Sequence, residues 1–101
     1  MQAHENTPSV PQGVAMFATE YCPYCTRAEQ FLRAKGVDDI EKIMVDANPG
    51  ERERMLALAE GQRTVPQIFI AGERVGGCDD LMALARRDPK RLDELLERAR
   101  A

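Results

Sequence analysis

Cys22-Pro23-Tyr24-Cys25 constrains this chain more than any other stretch. Two thiols separated by two residues can close a small disulfide if a helix starts between them. The flanking residues say that one does. Val14-Ala15-Met16-Phe17-Ala18 reads as a short apolar strand, and Thr26 to Lys35 carries a helical pattern with Ala28, Phe31 and Leu32 at i, i+3 and i+4. Pro23 then falls in the first helical turn, where a missing N–H costs nothing. Cys22 stands at the helix N-terminus, with Cys25 one turn in. Unpaired N–H groups and the positive end of the helix dipole favour a thiolate at the first of these positions. Cys22 therefore reads as an exposed nucleophile and Cys25 as a partly buried resolving thiol.

Other uses of the pair fit less well. Half of a zinc site needs two more ligands, and only Cys78, far along the chain, and His4, in a polar tail, remain. Two inert core cysteines conflict with Pro23 and Tyr24, which suit a helix start better than a core. A redox pair accounts for the whole stretch, and no metal site is expected.

A chain of 101 residues, 44% of them hydrophobic, supports one domain around one core. A net charge of −3 without a basic stripe argues against a nucleic-acid partner. Met1 to Gln12 lacks the apolar run of a secretory signal, and nothing approaches transmembrane length, so neither export nor a membrane is expected. Three cysteines in such a chain fit a reducing cytoplasm, where C-x-x-C beside a strand–helix unit reads as redox.

Residues 1–12, with Thr7-Pro8 and Val10-Pro11, read as a polar, flexible leader that packs little, and residues 13–101 as the domain. After the first strand, a helix is expected from about Pro23 to Lys35, ended by Gly36. Ile40 to Val45 is a second strand, parallel to the first across a right-handed crossover. Asn48-Pro49-Gly50 reads as a turn, and Glu51 to Glu60 as a helix with Met55, Leu56 and Ala59 inward. Its start, Glu51-Arg52-Glu53-Arg54, alternates in sign as a solvated face does. Thr64 to Ile70 is a third strand, and a tight turn at Ala71-Gly72-Glu73 makes Arg74-Val75 its antiparallel partner. Asp79-Asp80 begins a third helix, and Asp88-Pro89 caps a fourth with Leu92, Leu95, Leu96 and Ala99 on one face. The order β-α-β-α-β-β-α-α specifies a layered α/β domain with a four-stranded mixed sheet, without fixing the order of its strands.

Three motifs in order, Cys22-Pro23-Tyr24-Cys25, Thr64-Val65-Pro66 and Gly76-Gly77-Cys78-Asp79-Asp80, resemble those of the glutaredoxins, in particular the bacterial dithiol type. The likeness runs from residue 14 to about 98. It implies a thioredoxin-like fold with strand order 2-1-3-4, the third strand antiparallel to the first, and a cis peptide between Val65 and Pro66 beside the Cys22 sulfur. It also implies a glutathione site. Proline holds Val65 extended, leaving the valine's own N–H and C=O free to pair with an extended peptide. The family holds the cysteinyl part of glutathione in that way. Gly77, Cys78, Asp79 and Asp80 would take the γ-glutamyl end, since a helix N-terminus offers N–H groups to a carboxylate and an aspartate accepts an ammonium. Tyr24 would flank the tripeptide, and Arg52, Gln62 and Arg63 are options for the glycyl carboxylate.

One position departs from the pattern. Many relatives carry lysine or arginine three residues before the nucleophile; this chain has Thr19, followed by Glu20. The resemblance implies a monomeric, glutathione-dependent thiol–disulfide oxidoreductase. It would hold no permanent cofactor, take glutathione as co-substrate, and act on glutathionylated or disulfide-containing proteins, ribonucleotide reductase among the options. Its rival is a homodimer holding one [2Fe–2S] cluster through Cys22 of each chain and two glutathiones. Pro23 directly after the nucleophile favours the enzyme.

Overall fold

A strand without a polar position has two faces to cover, and Val14–Ala18 (β1) is buried along its whole length. The computed structural model describes residues 8–100 and supplies both covers. After β1 come α1 (Pro23–Ala34), β2 (Ile40–Met44), α2 (Pro49–Leu58), β3 (Gln67–Ile70), β4 (Glu73–Gly76), α3 (Cys78–Arg87) and α4 (Pro89–Arg100). The sheet runs β2-β1-β3-β4, with β2 parallel and β3 antiparallel to β1, and β4 antiparallel to β3. This is the thioredoxin-like order that the resemblance implied.

Side chains alternate across the central strands. Val14, Met16 and Ala18, with Ile68 and Ile70, face Ala28 and Leu32 of α1, Leu81 of α3 and Leu92, Leu95 and Leu96 of α4. Ala15, Phe17 and Phe69 face the other way, onto Ile43, Val45 and the fully buried Met55 of α2. Phe17 and Phe69 meet edge to face at 5.8 Å. The core is thus one sheet covered on both sides, and the ends of its central strands stand where the three motifs converge.

Element boundaries depart from the sequence expectation in informative places. Asn48-Pro49-Gly50 is no free-standing turn: Asn48 is the extended N-cap of α2 and Pro49 its first residue, the same use of proline as at Pro23. β3 starts at Gln67 instead of Thr64, because Pro66 has no N–H to give the ladder. β4 spans Glu73–Gly76, longer than Arg74-Val75. α3 starts at Cys78 with Gly77 as N-cap, so Asp79 and Asp80 fill its first turn. The Asp88 cap does form, its Oδ1 accepting from the Arg91 N–H at 3.2 Å. Gly36 at φ +95° closes α1.

β4 is tied to α4 by Glu73, which accepts from Arg91 at 2.7 Å and Arg98 at 3.2 Å. These two guanidiniums, Arg91 foremost, hold the Glu73 carboxyl below the usual carboxylate range.

Residues 1–7 of the expected leader, His4 included, lie outside the described residues. The rest was expected to pack little, and it packs. Pro11 is buried, Val10 covers the Phe17–Met55 cluster, and the Ser9 carbonyl accepts from Arg54 Nε at 2.9 Å. Deleting residues 1–12 removes that cover and is expected to lower stability by about 1–2 kcal/mol, the scale of losing partly buried apolar side chains. Urea unfolding measures it, and an unchanged midpoint would mean that these contacts carry no stability.

Candidate active site

The β1–α1 junction builds the site outward from one residue. Cys22 is the N-cap of α1, in extended conformation (φ −148°), and its sulfur accepts from the Cys25 N–H at 3.1 Å. A thiol thereby takes the capping role usual for serine or aspartate. The Cys22 carbonyl accepts from Thr26 N at 3.0 Å and Thr26 Oγ1 at 3.3 Å, which closes the first turn. Cys22 and Cys25 form a disulfide, their Cα atoms 5.2 Å apart. Cys25 is buried, and Cys22, expected to be exposed, is half-buried. Tyr21 (89% exposed) and Tyr24 (56%) stand at the rim in water, Tyr24 with the Arg27 guanidinium 5.7 Å from its ring centre.

The second wall is the loop before β3. Its Val65 carbonyl oxygen lies 3.9 Å from the Cys22 sulfur, so the expected apposition of the cis Val65–Pro66 bond and the nucleophile is present. Gln67, only 2% exposed, fixes the loop from behind: its Nε2 donates to the Thr64 carbonyl at 3.1 Å, and its Oε1 accepts from Arg74 at 3.5 Å. A buried amide with every group engaged stiffens what it holds.

The third wall is the start of α3. The Asp80 carboxylate accepts from the Gly77 N–H at 2.8 Å. The first N–H groups of the helix have no partner within it, which leaves donors facing the groove. Gly76 cannot be exchanged: φ is +114°, and a Cβ there would collide with the Asp80 carboxylate.

A groove of about 440 Å³ joins the three walls. Of the residues singled out by sequence, Tyr24, Gln62, Thr64, Val65, Pro66, Gly77, Cys78, Asp79 and Asp80 line it. Arg52, half-buried on α2, and Arg63, exposed before β3, are outside its lining. Gln67 and Arg74 line it too, and the sequence reading passed over both. A glutamine heading Ile68-Phe69-Ile70 was a usable signal, because a polar side chain in a doubly covered strand must find partners. Cys78 is buried, and burial pushes its thiol up, against the Arg27 charge, so it stays protonated at neutral pH.

Known proteins resemble this chain in sequence and in fold. The glutaredoxin family model matches residues 14–75. Glutaredoxin of Pseudomonas aeruginosa is 49% identical over 82% of this chain and 94% of its own length. The chain belongs to the glutaredoxin family. Glutaredoxin 3 of Escherichia coli K12 is 45% identical over 83% of the chain and 96% of its own. A crystal structure of a buckwheat glutaredoxin–glutathione complex superposes with a TM-score of 0.74 at 32% identity, covering 98% of this chain and 87% of that one. The activity of this glutaredoxin is glutathione-dependent thiol–disulfide exchange through a cysteine pair.

Removing the loop's rear support separates binding from sulfur chemistry. Gln67→Leu leaves the Thr64 carbonyl and Arg74 without their partner, an expected cost of about 1–3 kcal/mol in stability. KM for a glutathione mixed disulfide should rise several-fold, while the alkylation rate of reduced Cys22 holds. A change in alkylation with an unchanged KM would place Gln67's effect on the helix start instead.

Proposed function

We propose that glutathione lies along the groove between α1, the Val65–Pro66 loop and α3. Its cysteinyl backbone would pair with the Val65 N–H and C=O as a single added strand residue. The γ-glutamyl carboxylate would meet the N–H groups of Cys78 and Asp79, and its ammonium the carboxylates of Asp79 and Asp80. Tyr24, Gln62, Thr64 and Pro66 shape the path, and Gly77 keeps it open. Arg63 and Arg52 extend from the glycyl end as long-range attractors of a carboxylate. The observation that carries this reading is the 3.9 Å between the Cys22 sulfur and the Val65 carbonyl, which sets peptide-pairing groups beside the reactive atom.

In the first step the Cys22 thiolate attacks the glutathione sulfur of a glutathionylated protein. The protein thiolate leaves and takes up a proton, and a Cys22–glutathione disulfide forms. Glutathione thiolate then attacks the glutathionyl sulfur, releasing glutathione disulfide and restoring the Cys22 thiolate. For a protein disulfide, the Cys22 thiolate instead attacks one protein sulfur, and the protein S–S bond breaks. The other protein sulfur leaves as a thiolate and takes up a proton, and a Cys22–protein mixed disulfide forms. Deprotonated Cys25 attacks the Cys22 sulfur, the second protein thiolate leaves, and the Cys22–Cys25 disulfide results. Two glutathiones reduce that disulfide in turn. The Cys25 N–H at 3.1 Å from the Cys22 sulfur stabilises the thiolate both as nucleophile and as leaving group. Substrates are glutathionylated and disulfide-containing proteins, with ribonucleotide reductase among the options in the second class. The enzyme works as a monomer in the cytoplasm.

Two serine variants test the assignment. Cys22→Ser should abolish both reactions, since a hydroxyl does not ionise at neutral pH. Cys25→Ser should keep deglutathionylation, because glutathione completes that cycle alone, and lose reduction of protein disulfides. Equal losses in the two variants on both substrates would cancel the division of labour.

A further inference from the structure

The reaction just described uses the groove in front of the disulfide and leaves unexplained a set of charges behind it. A cavity of about 220 Å³ lies there, lined among others by Cys22, Cys25, Thr19, Glu20, Glu29 and Lys42. Glu29 stands one turn beyond Cys25 on α1, and Lys42 comes from β2, opposite Met16. Lys42 Nζ reaches Glu29 Oε1 at 3.1 Å, and Arg33 binds the other oxygen at 3.0 Å. The Glu29 side chain is 21% exposed and that of Lys42 48%. An ion pair with one leg on a helix and one on a strand holds both charges in the cavity that Cys22 and Cys25 also line. The strand end itself supplies no cation, as Thr19 and Glu20 occupy it.

We propose that the Glu29–Lys42 pair sets the ionisation of the active-site dithiol. The Lys42 ammonium, facing the cavity that both sulfurs share, favours the thiolate of the reduced enzyme. The Glu29 carboxylate opposes it and anchors the lysine. Neither residue touches the reacting atoms, so both are positioning residues. The inference rests on the assignment of Cys22 as nucleophile.

Other charges around the site bear on the same equilibrium and stay fixed in the test. Arg27, Arg33 and the Tyr24 hydroxyl project from α1, and Glu20 from the β1–α1 loop, its N–H bound to Asp46 at 3.0 Å. Asp79 and Asp80 stand on α3 across the groove. The cavity lining holds Lys42 and two carboxylates, Glu20 and Glu29; Lys42 pairs with Glu29, so removing either member of that pair uncovers the other. Arg33 remains on Glu29 when Lys42 is removed, which keeps the expected effect small.

The experiment measures the alkylation rate of Cys22 by iodoacetamide against pH, in the full chain carrying Cys25→Ser and Cys78→Ser. Lys42→Met should raise the titration midpoint by about half a unit, and Glu29→Gln should lower it by a similar amount. The double variant should return near the parent, and Lys42→Arg should match it. In 1 M salt both single shifts should shrink, as screening requires. Midpoints that do not move, or that move in the same direction in both single variants, overturn the proposal. An ordinary thiol midpoint in the parent itself would instead overturn the nucleophile assignment, so the two failures read differently.

Discussion

A helix that begins on a cysteine must find something to cap its first turn, and here the cysteine is the cap. The Cys25 N–H points at the Cys22 sulfur at 3.1 Å, and the Cys22 carbonyl accepts the next helical bonds. One contact therefore does structural and chemical work together. As a cap it fixes where α1 starts; as a donor to sulfur it favours the charged form that attacks disulfides and departs from them. Pro23 follows as the residue best able to give up an N–H at that point. Every other part of the site is placed relative to this turn.

The sheet does the placing. β1 ends at Ala18, and its parallel partner β2 continues it through the bond from Val45 N to the Ala18 carbonyl at 2.9 Å. β3 runs the other way beside β1, so its beginning lies against β1's end, and Phe17 pairs with Gln67. The Val65–Pro66 loop therefore arrives next to Cys22 as a consequence of antiparallel register. β4 returns from β3 and delivers Gly76 and the start of α3 to the same edge. Burial on both faces makes this register hard to slip, since a shift of one residue would exchange Phe17 for Met16 between two differently shaped covers.

Much of this was legible in the chain. Periodicity located every strand and helix, and Cys22-Pro23-Tyr24-Cys25 identified the chemistry, because that spacing and proline have one natural use at a strand–helix junction. Sheet order came from resemblance, as periodicity says nothing about which strands are neighbours. What remained illegible were features that depend on contacts between distant residues. Asn48-Pro49-Gly50 carries the composition of a turn and also that of a capped helix start, and only Met55 docking under Phe17 and Phe69 decides between them. Gln67 and Arg74 are ordinary residues locally and become site residues when β4 folds beside β3. The packing of Val10 and Pro11 was hidden in the same way, behind a polar composition.

The central claim is that the α1 turn, the Val65–Pro66 loop and the start of α3 act together as one glutathione site. It is tested most directly by trapping glutathione on Cys22 in a Cys25→Ser variant and comparing amide NMR shifts and hydrogen exchange with the reduced form. The account predicts that the Val65, Cys78 and Asp79 amides shift most, and that the Val65 amide slows in exchange as it gains a peptide partner. Changes confined to the first turn of α1, with those three amides unmoved, would contradict it.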